Sequence, residues 1–450
     1  MDTPMGKSIY TVVAHTGAGE HVLYNTANAA FALLDDQAFS QFSDGCDPTG
    51  ALAAAGFLTA ATPREELARQ QELFQRQRHG HTRFVISIVP TYACNYRCPY
   101  CYERDLPAKP AGFMSDKTLD EIAAFIRARY DAHPFQTLEV QWYGGDPSLC
   151  LDVVKKGADL FRGICAERGA AYESMMLTNC NRIDAEAAQL IADCGISTLF
   201  LTIDGPEEHH NRRRVAADGS NSYERVIQAA RYARELGISI LATMNVDRMT
   251  LPLFRDFAQK LLDEEGIVLA PAKLNDYCGT FGTGAFCPPE FDLYTHEEYA
   301  RARFELIDKG HMTTADLRAM LLPHTHFCNG QRDDCFVIDL AGDVYKCDGW
   351  VGQREHALFN LISDDAGAQP DVVTHDATTT PACEACALLP ICQGSCIWER
   401  VCAEGETGSV PCHPLKTTLA DYLGEYRRCF DAKADGMTML AAPLAEDELA

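Results

Sequence analysis

The chain has 450 residues, 47% of them hydrophobic, with 64 acidic against 39 basic side chains and a formal net charge of −25. That length leaves room for two or three domains and a large core, and the negative field excludes nucleic acid and anionic membranes as expected partners. Twenty cysteines, no apolar run of about 18 residues and no signal-peptide core in MDTPMGKSIY predict metal or cluster ligation in a cytoplasmic protein rather than a disulfide scaffold.

Residues 1–80 read as a small unit of their own. IYTVVAH and HVLYN are expected as two strands around the turn TGAGE. A helix is expected over ANAAFALLDDQAFSQF, with Phe31, Leu33, Leu34, Phe39 and Phe42 on its apolar face. ALAAAGFLTA reads as a second helix ending at Gly56, and PREELARQQELFQRQRHGH as a solvated one. From residue 83 to about 275, strands alternate with helices. The strands are FVISIVP, TLEVQWY, ESMMLTN, TLFLTID, ISILATMNV and IVLAPAKL. SDKTLDEIAAFIRARY is one of the helices, capped by Ser115 or Asp116. This α/β alternation predicts a parallel sheet with helices packed outside and ligands at the C-terminal ends of the strands. HEEYARARFELIDKG reads as an amphipathic helix, YLGEYRRCF as a helical tail carrying a non-ligand Cys429, and the last dozen residues as a frayed acidic end.

The first strand runs into CNYRCPYCY, where Cys94, Cys98 and Cys101 have the spacing C-x3-C-x2-C. Three thiolates on one tight loop can bind three irons of a 4Fe-4S cluster and leave the fourth open to a ligand. A zinc loop is the alternative for such spacing taken alone. The stretch resembles the signature of the radical S-adenosylmethionine (SAM) enzymes, including the aromatic residues Tyr100 and Tyr102. That resemblance implies that the open iron binds SAM, whose reductive cleavage gives a 5′-deoxyadenosyl radical that abstracts hydrogen from a substrate. It also implies a partial (β/α)6 TIM-like barrel, the six strand–helix units already noted.

Motifs at the later strand ends extend the likeness. Tyr143-Gly-Gly-Asp-Pro147 resembles the family's GGEP, implying SAM contacts from Gly144, Gly145 and Asp146. LTNCN resembles L-T-N-G, implying Asn179, with Cys180 in place of the glycine. LTIDGPEEHHNRRR resembles S-x-D-G…H-D-x-x-R. Thr202 then stands for the serine that reaches the SAM carboxylate, and Arg214 for the arginine, which offers a bidentate fork. His210 matches the family's histidine and Asn211 replaces its aspartate. Asp204 with Gly205 reads equally as a turn, Arg212 and Arg213 as surface charges, and Asn245 as a SAM contact or a backbone-satisfying amide. The Gly-rich NDYCGTFGTGAFCPP carries Cys278 and Cys287 and is expected at the barrel mouth.

The last third holds Cys328, Cys335 and Cys347, then Cys383, Cys386, Cys392 and Cys396 in C-x2-C-x5-C-x3-C, then Cys412. Zinc ribbons also use such pairs. The order resembles the SPASM extension of radical SAM enzymes, implying two auxiliary 4Fe-4S clusters and three in all. By that resemblance Cys328, Cys335, Cys347 and Cys396 hold one, and Cys383, Cys386, Cys392 and Cys412 the other, with Cys402 an alternative to Cys412. Asp348 in KCDGW resembles the carboxylate base of SPASM sulfatase-maturing enzymes, and reads equally as a turn cap.

The expected organisation is residues 1–80 as a winged-helix-like leader-recognition or capping unit, 81–310 as the barrel, 311–430 as a cysteine-rich SPASM domain and 431–450 as the tail. The resemblance implies a maturase that cross-links a ribosomally made precursor peptide and draws electrons from a flavodoxin- or ferredoxin-type donor. A sulfatase-maturing enzyme forming formylglycine from Cys or Ser, and a non-catalytic iron–sulfur carrier, are the other readings.

Overall fold

A computed structural model describes residues 5–17, 19–80, 82–103, 109–274, 291–304, 306, 314–323, 328–363, 376–398, 412–430 and 436–444. Cys278, Cys287 and Cys402 lie outside the described residues. The chain forms two compact units: Met1–His79 with Thr295–Cys328 and Thr374–Ala450, and Gly80–Tyr294 with Asn329–Val373. These are not the expected divisions. The N-terminal segment shares a unit with the C-terminal third, and part of the expected cysteine-rich domain belongs with the barrel strands.

In the first unit, β1 (Gly6–Lys7), β2 (Thr11–Gly17), β3 (Glu20–Asn25) and β4 (Phe31–Asp35) precede α1 (Asp36–Ser43), α2 (Ala51–Ala54), β5 (Leu58–Thr59) and α3 (Pro63–Arg78). The hairpin β2–β3 forms as expected, with Val12 opposite Tyr24. The segment FALLD is not helical. It is β4, an antiparallel strand between β3 and a final strand, Met437–Ala441, which falls within the expected tail 431–450. A short apolar run does not distinguish a central strand from a buried helix. Here both faces of β4 are covered, so every second residue cannot be polar. Phe31 and Leu33 join a core with Leu419, Tyr422, Leu423 and Tyr426 of the helix Leu415–Arg428, and Ala32 and Leu34 join another with Phe42, Leu52 and Phe57. Helix α1 starts where Asp35 accepts the Ala38 amide at 2.8 Å.

The second unit contains β6 (Arg83–Val89), α4 (Asp116–Ala132), β7 (Thr137–Trp142), α5 (Leu151–Arg168), β8 (Ala171–Leu177), α6 (Ala185–Asp193), β9 (Thr198–Thr202), α7 (Glu207–Arg213), α8 (Ser222–Glu235), β10 (Ser239–Val246), α9 (Leu251–Glu265) and β11 (Leu269–Lys273). All six expected strands form, and each pairs in parallel with its neighbour in sequence. Ser115 caps α4 by accepting the Thr118 amide at 3.1 Å. The sheet continues beyond β6 into β12 (Cys335–Asp339), which is parallel to it, and then β13 (Asp343–Tyr345) and β14 (Phe359–Asn360), which are antiparallel. Strand β6 is therefore flanked on both sides, and Phe84–Val89 are all buried, which accounts for its unbroken apolar sequence. The parallel register carries the loops after β6, β7, β8 and β9 to one edge of the sheet.

Candidate active site

The cluster loop leaves β6 at Pro90 and is clamped by the segment after α7. Tyr96 bridges Ala216, the Arg97 amide donates to the Val215 carbonyl at 2.7 Å, and the Ala217 amide donates to the Asn95 carbonyl at 2.8 Å. Tyr96, Cys98 and Ala216 form a small buried cluster against which Cys94, Tyr100 and Cys101 pack. Burial pushes the Cys94 thiol up to about 11 and the Cys101 thiol to about 12; the Cys98 sulfur raises both further, and that of Cys94 raises Cys101. Binding a cationic centre as thiolates would therefore release these protons. Among the described residues no three His, Cys, Asp or Glu side chains converge as ligands of a single metal ion.

The Gly-Gly pair serves this loop. Gly144 has φ +109°, and a Cβ there would lie 2.7 Å from the Thr91 carbonyl oxygen. At Gly145 a Cβ would lie 2.3 Å from the Ala93 oxygen. The amides are engaged rather than free: Gly145 donates to Thr91 at 3.1 Å and Asp146 to Ala93 at 2.9 Å. The glycines thus let the loop after β7 lie against the residues leading into Cys94. Gly145→Ala should cost about 1–3 kcal/mol by overpacking and lower the iron retained after reconstitution; a variant with wild-type melting temperature and iron content would contradict this account.

Asp146 is fully buried. Its Oδ1 accepts from the Ser148 amide at 3.0 Å and the Thr178 hydroxyl at 2.8 Å, while Oδ2 has no partner. Burial raises its carboxyl above the usual range. Asn179 reaches the loop directly, donating from Nδ2 to Asn95 Oδ1 at 2.7 Å and toward Cys94 Sγ at 3.5 Å. Cys180 is buried with φ +65°. A left-handed conformation at this position explains the glycine of the related motif.

The fourth strand's motif is more than a turn with surface charges. Asp204 is fully buried; it accepts from the Tyr100 hydroxyl through Oδ2 and from the Asn245 amide through Oδ1 at 2.9 Å. His210 Nδ1 accepts the Asp204 amide at 3.2 Å. Burial, then the Arg214 charge, holds the imidazole well below its ordinary pKa and therefore neutral. Arg214 Nη1 donates to the Tyr100 hydroxyl at 3.1 Å, and its buried Nε has no partner. Arg213, expected on the surface, is 6% exposed. It donates to Asp247 at 3.0 Å and to the Asn245 carbonyl at 2.9 Å, with its guanidinium 5.7 Å from the Tyr100 ring centre. Two arginines and Asp204 therefore hold a tyrosine that lies between the second and third cysteines. Arg212 is exposed and pairs with Glu208. Thr202 is half-buried at the end of β9, and Asn245 enters the network through its backbone. The hydroxyls of Tyr102 and Tyr143 pair with each other.

Residues 88–256 match the family model of the Radical SAM superfamily. The chain carries a radical SAM domain. It is 24% identical over 353 residues to the cysteine-type anaerobic sulfatase-maturating enzyme of Clostridium perfringens, covering 70% of this chain and 88% of that one. Identity is also 24% over 366 residues to the serine-type anaerobic sulfatase-maturating enzyme of Bacteroides thetaiotaomicron, 72% of this chain and 85% of the other. The fold is shared with a solved anSMEcpe structure with bound AdoMet and Cp18Cys peptide, at TM-score 0.57 and 18% identity, covering 76% and 96% of the two chains. It is shared too with Streptococcus suis SuiB bound to precursor peptide SuiA, at TM-score 0.51 and 15% identity, covering 90% and 97%. The mostly parallel sheet is consistent with a partial radical SAM barrel, the matched residues taking in β7 to β10, and no described helix is long and apolar enough to cross a membrane.

The radical SAM domain's unit also holds Cys335, Cys347 and Asp348. Cys347, not Asp348, caps the short helix Asp348–Trp350, its sulfur accepting the Gly349 amide at 3.4 Å. Asp348 is exposed, yet crowding by the surrounding protein pushes its carboxyl up to about 6. Glu103, two residues past Cys101, was not anticipated. It is 6% exposed, with Oε2 unpartnered. Burial raises it to about 7, with Lys109 opposing and Asp348 adding to the shift. Its only trace in the sequence is a carboxylate directly after the cysteine motif.

In the other unit, Cys383, Cys386, Cys392 and Cys412 lie within electrostatic reach of Lys416 or of one another. The Lys416 ammonium donates to Cys412 Sγ at 3.3 Å and feels the charges of Cys386 and Cys383, while Cys392 feels that of Cys383. Cys328 and Cys396 are exposed residues of this unit, and exposed Cys429 follows its last helix.

Proposed function

We propose that this radical SAM enzyme is a peptide maturase that binds SAM on the loop Cys94–Cys101 and oxidatively cross-links a precursor peptide. The observation that carries the SAM reading is the arrangement of unsatisfied buried groups about that loop. Arg214 Nε, a donor, and Asp146 Oδ2, an acceptor, match the carboxylate and ammonium of an amino acid. The same reading makes Cys94, Cys98 and Cys101 iron ligands, takes further SAM contacts from Asn179, Thr202 and Asn245, leaves Gly144 and Gly145 to seat the cluster loop rather than to meet SAM through their amides, and includes the two auxiliary ligand sets. When bound, the cluster and SAM supply a deoxyadenosyl radical that takes a hydrogen atom from the substrate.

The protein's own part is to hold and to accept protons. Arg214 orients the carboxylate while Tyr100 and Asp204 hold the guanidinium in place. Asp348, accessible and free of any capping duty, takes the proton that a substrate loses on oxidation. Peptide maturation is supported by the extent of the structural likeness, 90% of this chain for SuiB against 76% for anSMEcpe. The sulfatase-type reading draws on the two curated relatives.

Arg214→Leu should weaken SAM binding roughly 10–100-fold, the value of a charge-assisted hydrogen bond, at unchanged iron content; calorimetry with the reconstituted protein measures it, and unaltered affinity would remove Arg214 from the site. For the reaction, the intact enzyme, SAM and a reductant are incubated with a precursor peptide encoded nearby or with a sulfatase-motif peptide. A cross-linked product supports the maturase. An aldehyde trapped by a hydrazine probe, on the sulfatase peptide alone, establishes the alternative.

A further inference from the structure

Beside the cysteines Cys383, Cys386, Cys392 and Cys412 stands a positive group that is not itself a ligand. That group is Lys416, with Nζ 3.3 Å from Cys412 Sγ. It lies in the first turn of the helix Leu415–Arg428, whose positive dipole end faces the residues just before it. On the other side, Gln393, Gly394 and Ser395 have φ of +47°, +93° and +68°. This left-handed run turns the chain back on itself: the Ser395 amide donates to the Cys392 carbonyl at 2.9 Å, while the backbone of Gly394 and that of His413 act on the Cys392 sulfur. Gln393 and Ser395 are not glycines, so the strained conformation is kept at a cost.

We propose that Lys416 is a redox-tuning residue for the auxiliary centre held by these cysteines, raising its reduction potential. The inference rests on the reading of the four cysteines as one 4Fe-4S ligand set. One-electron reduction adds one negative charge to such a centre, and a cation beside a ligand sulfur stabilises the reduced form more than the oxidised one. Hydrogen bonds to the sulfurs act in the same direction, and net charge and hydrogen bonding are known levers on cluster potential. Lys416 is itself exposed, so solvent screening weakens its effect without reversing the sign. The centre would thereby be a better electron acceptor, suited to take up the single electron released when a substrate radical is oxidised.

The test compares wild type, Lys416→Met and Lys416→Arg after anaerobic reconstitution, by iron content and by EPR-monitored redox titration. The expected result is equal iron in all three, with the auxiliary midpoint shifted to more negative potential in Lys416→Met and near wild type in Lys416→Arg. Equal iron with unmoved midpoints would overturn the proposal while leaving the ligand set intact. An equal shift in both variants would assign the effect to packing rather than charge and overturn it. Loss of iron from Lys416→Met alone would make the lysine part of the scaffold, again overturning it. Wild-type protein with no iron beyond the SAM-binding cluster would instead refute the ligand set.

Discussion

Replacing Cys94, Cys98 and Cys101 together by Ala should lower the iron content from about 12 to about 8 per chain and abolish SAM cleavage. The three thiols lie on one loop whose backbone is clamped at Asn95 and Arg97 by residues 215–217. That clamp does not involve the sulfurs, so the barrel should fold in the variant. The eight remaining irons are expected because the other eight cysteines assigned to clusters lie elsewhere in the sequence. Iron and acid-labile sulfide, measured after anaerobic reconstitution, decide it. Zinc in place of the eight would leave a radical enzyme but remove the auxiliary clusters as electron acceptors. A triple variant that still cleaves SAM would refute the site.

Asp348→Asn should separate the two halves of the reaction. SAM cleavage should persist, because Arg214, Tyr100, Asp204 and Asn179 are untouched. Product formation should fall roughly 10²–10⁴-fold, the usual contribution of a positioned general base. The substitution keeps shape and size, and the short helix it begins is capped by Cys347, so stability should change little. Asp348→Glu should recover part of the activity. Product formed at the wild-type rate by the Asn variant would leave Asp348 without a chemical role and would direct attention to Glu103, the buried carboxylate that feels its charge. Measuring deoxyadenosine and peptide product in the same reaction distinguishes the outcomes.

The interleaving of the first unit bears on any test of its N-terminal segment. Phe31 packs against Tyr426 with ring centres 4.7 Å apart, and β4 pairs with the strand Met437–Ala441. Deleting residues 1–80 would strip one face from the helix Leu415–Arg428 and leave its apolar side chains in water. A loss of peptide affinity in such a truncation would therefore report unfolding as readily as lost recognition. Substitutions on exposed positions of β2, an edge strand of that sheet, are the sounder probe.

Local spacing was sufficient for much of this protein. C-x3-C-x2-C must be one loop, because three sulfurs within eight residues cannot be far apart. The six parallel strands were readable because each is a short, mostly apolar run, several of them β-branched, alternating with amphipathic helices. The cap of α4 could be narrowed to Ser115 or Asp116 from their place before an amphipathic run, and the structure selects Ser115. What the tertiary structure decided are features whose cause lies far away in sequence. FALLD has a helix-compatible pattern and becomes a strand only because β3 and a strand some 400 residues later supply its hydrogen-bond partners. Arg213 and Arg214 are neighbours in a basic run, and only the fold shows that both turn inward, to Asp247 and to Tyr100. Gly145 could be read as making room, but not that the room is for the backbone of Ala93 rather than for a ligand. A residue type limits the chemistry available at its position, while burial and distant partners select which of those chemistries the protein uses.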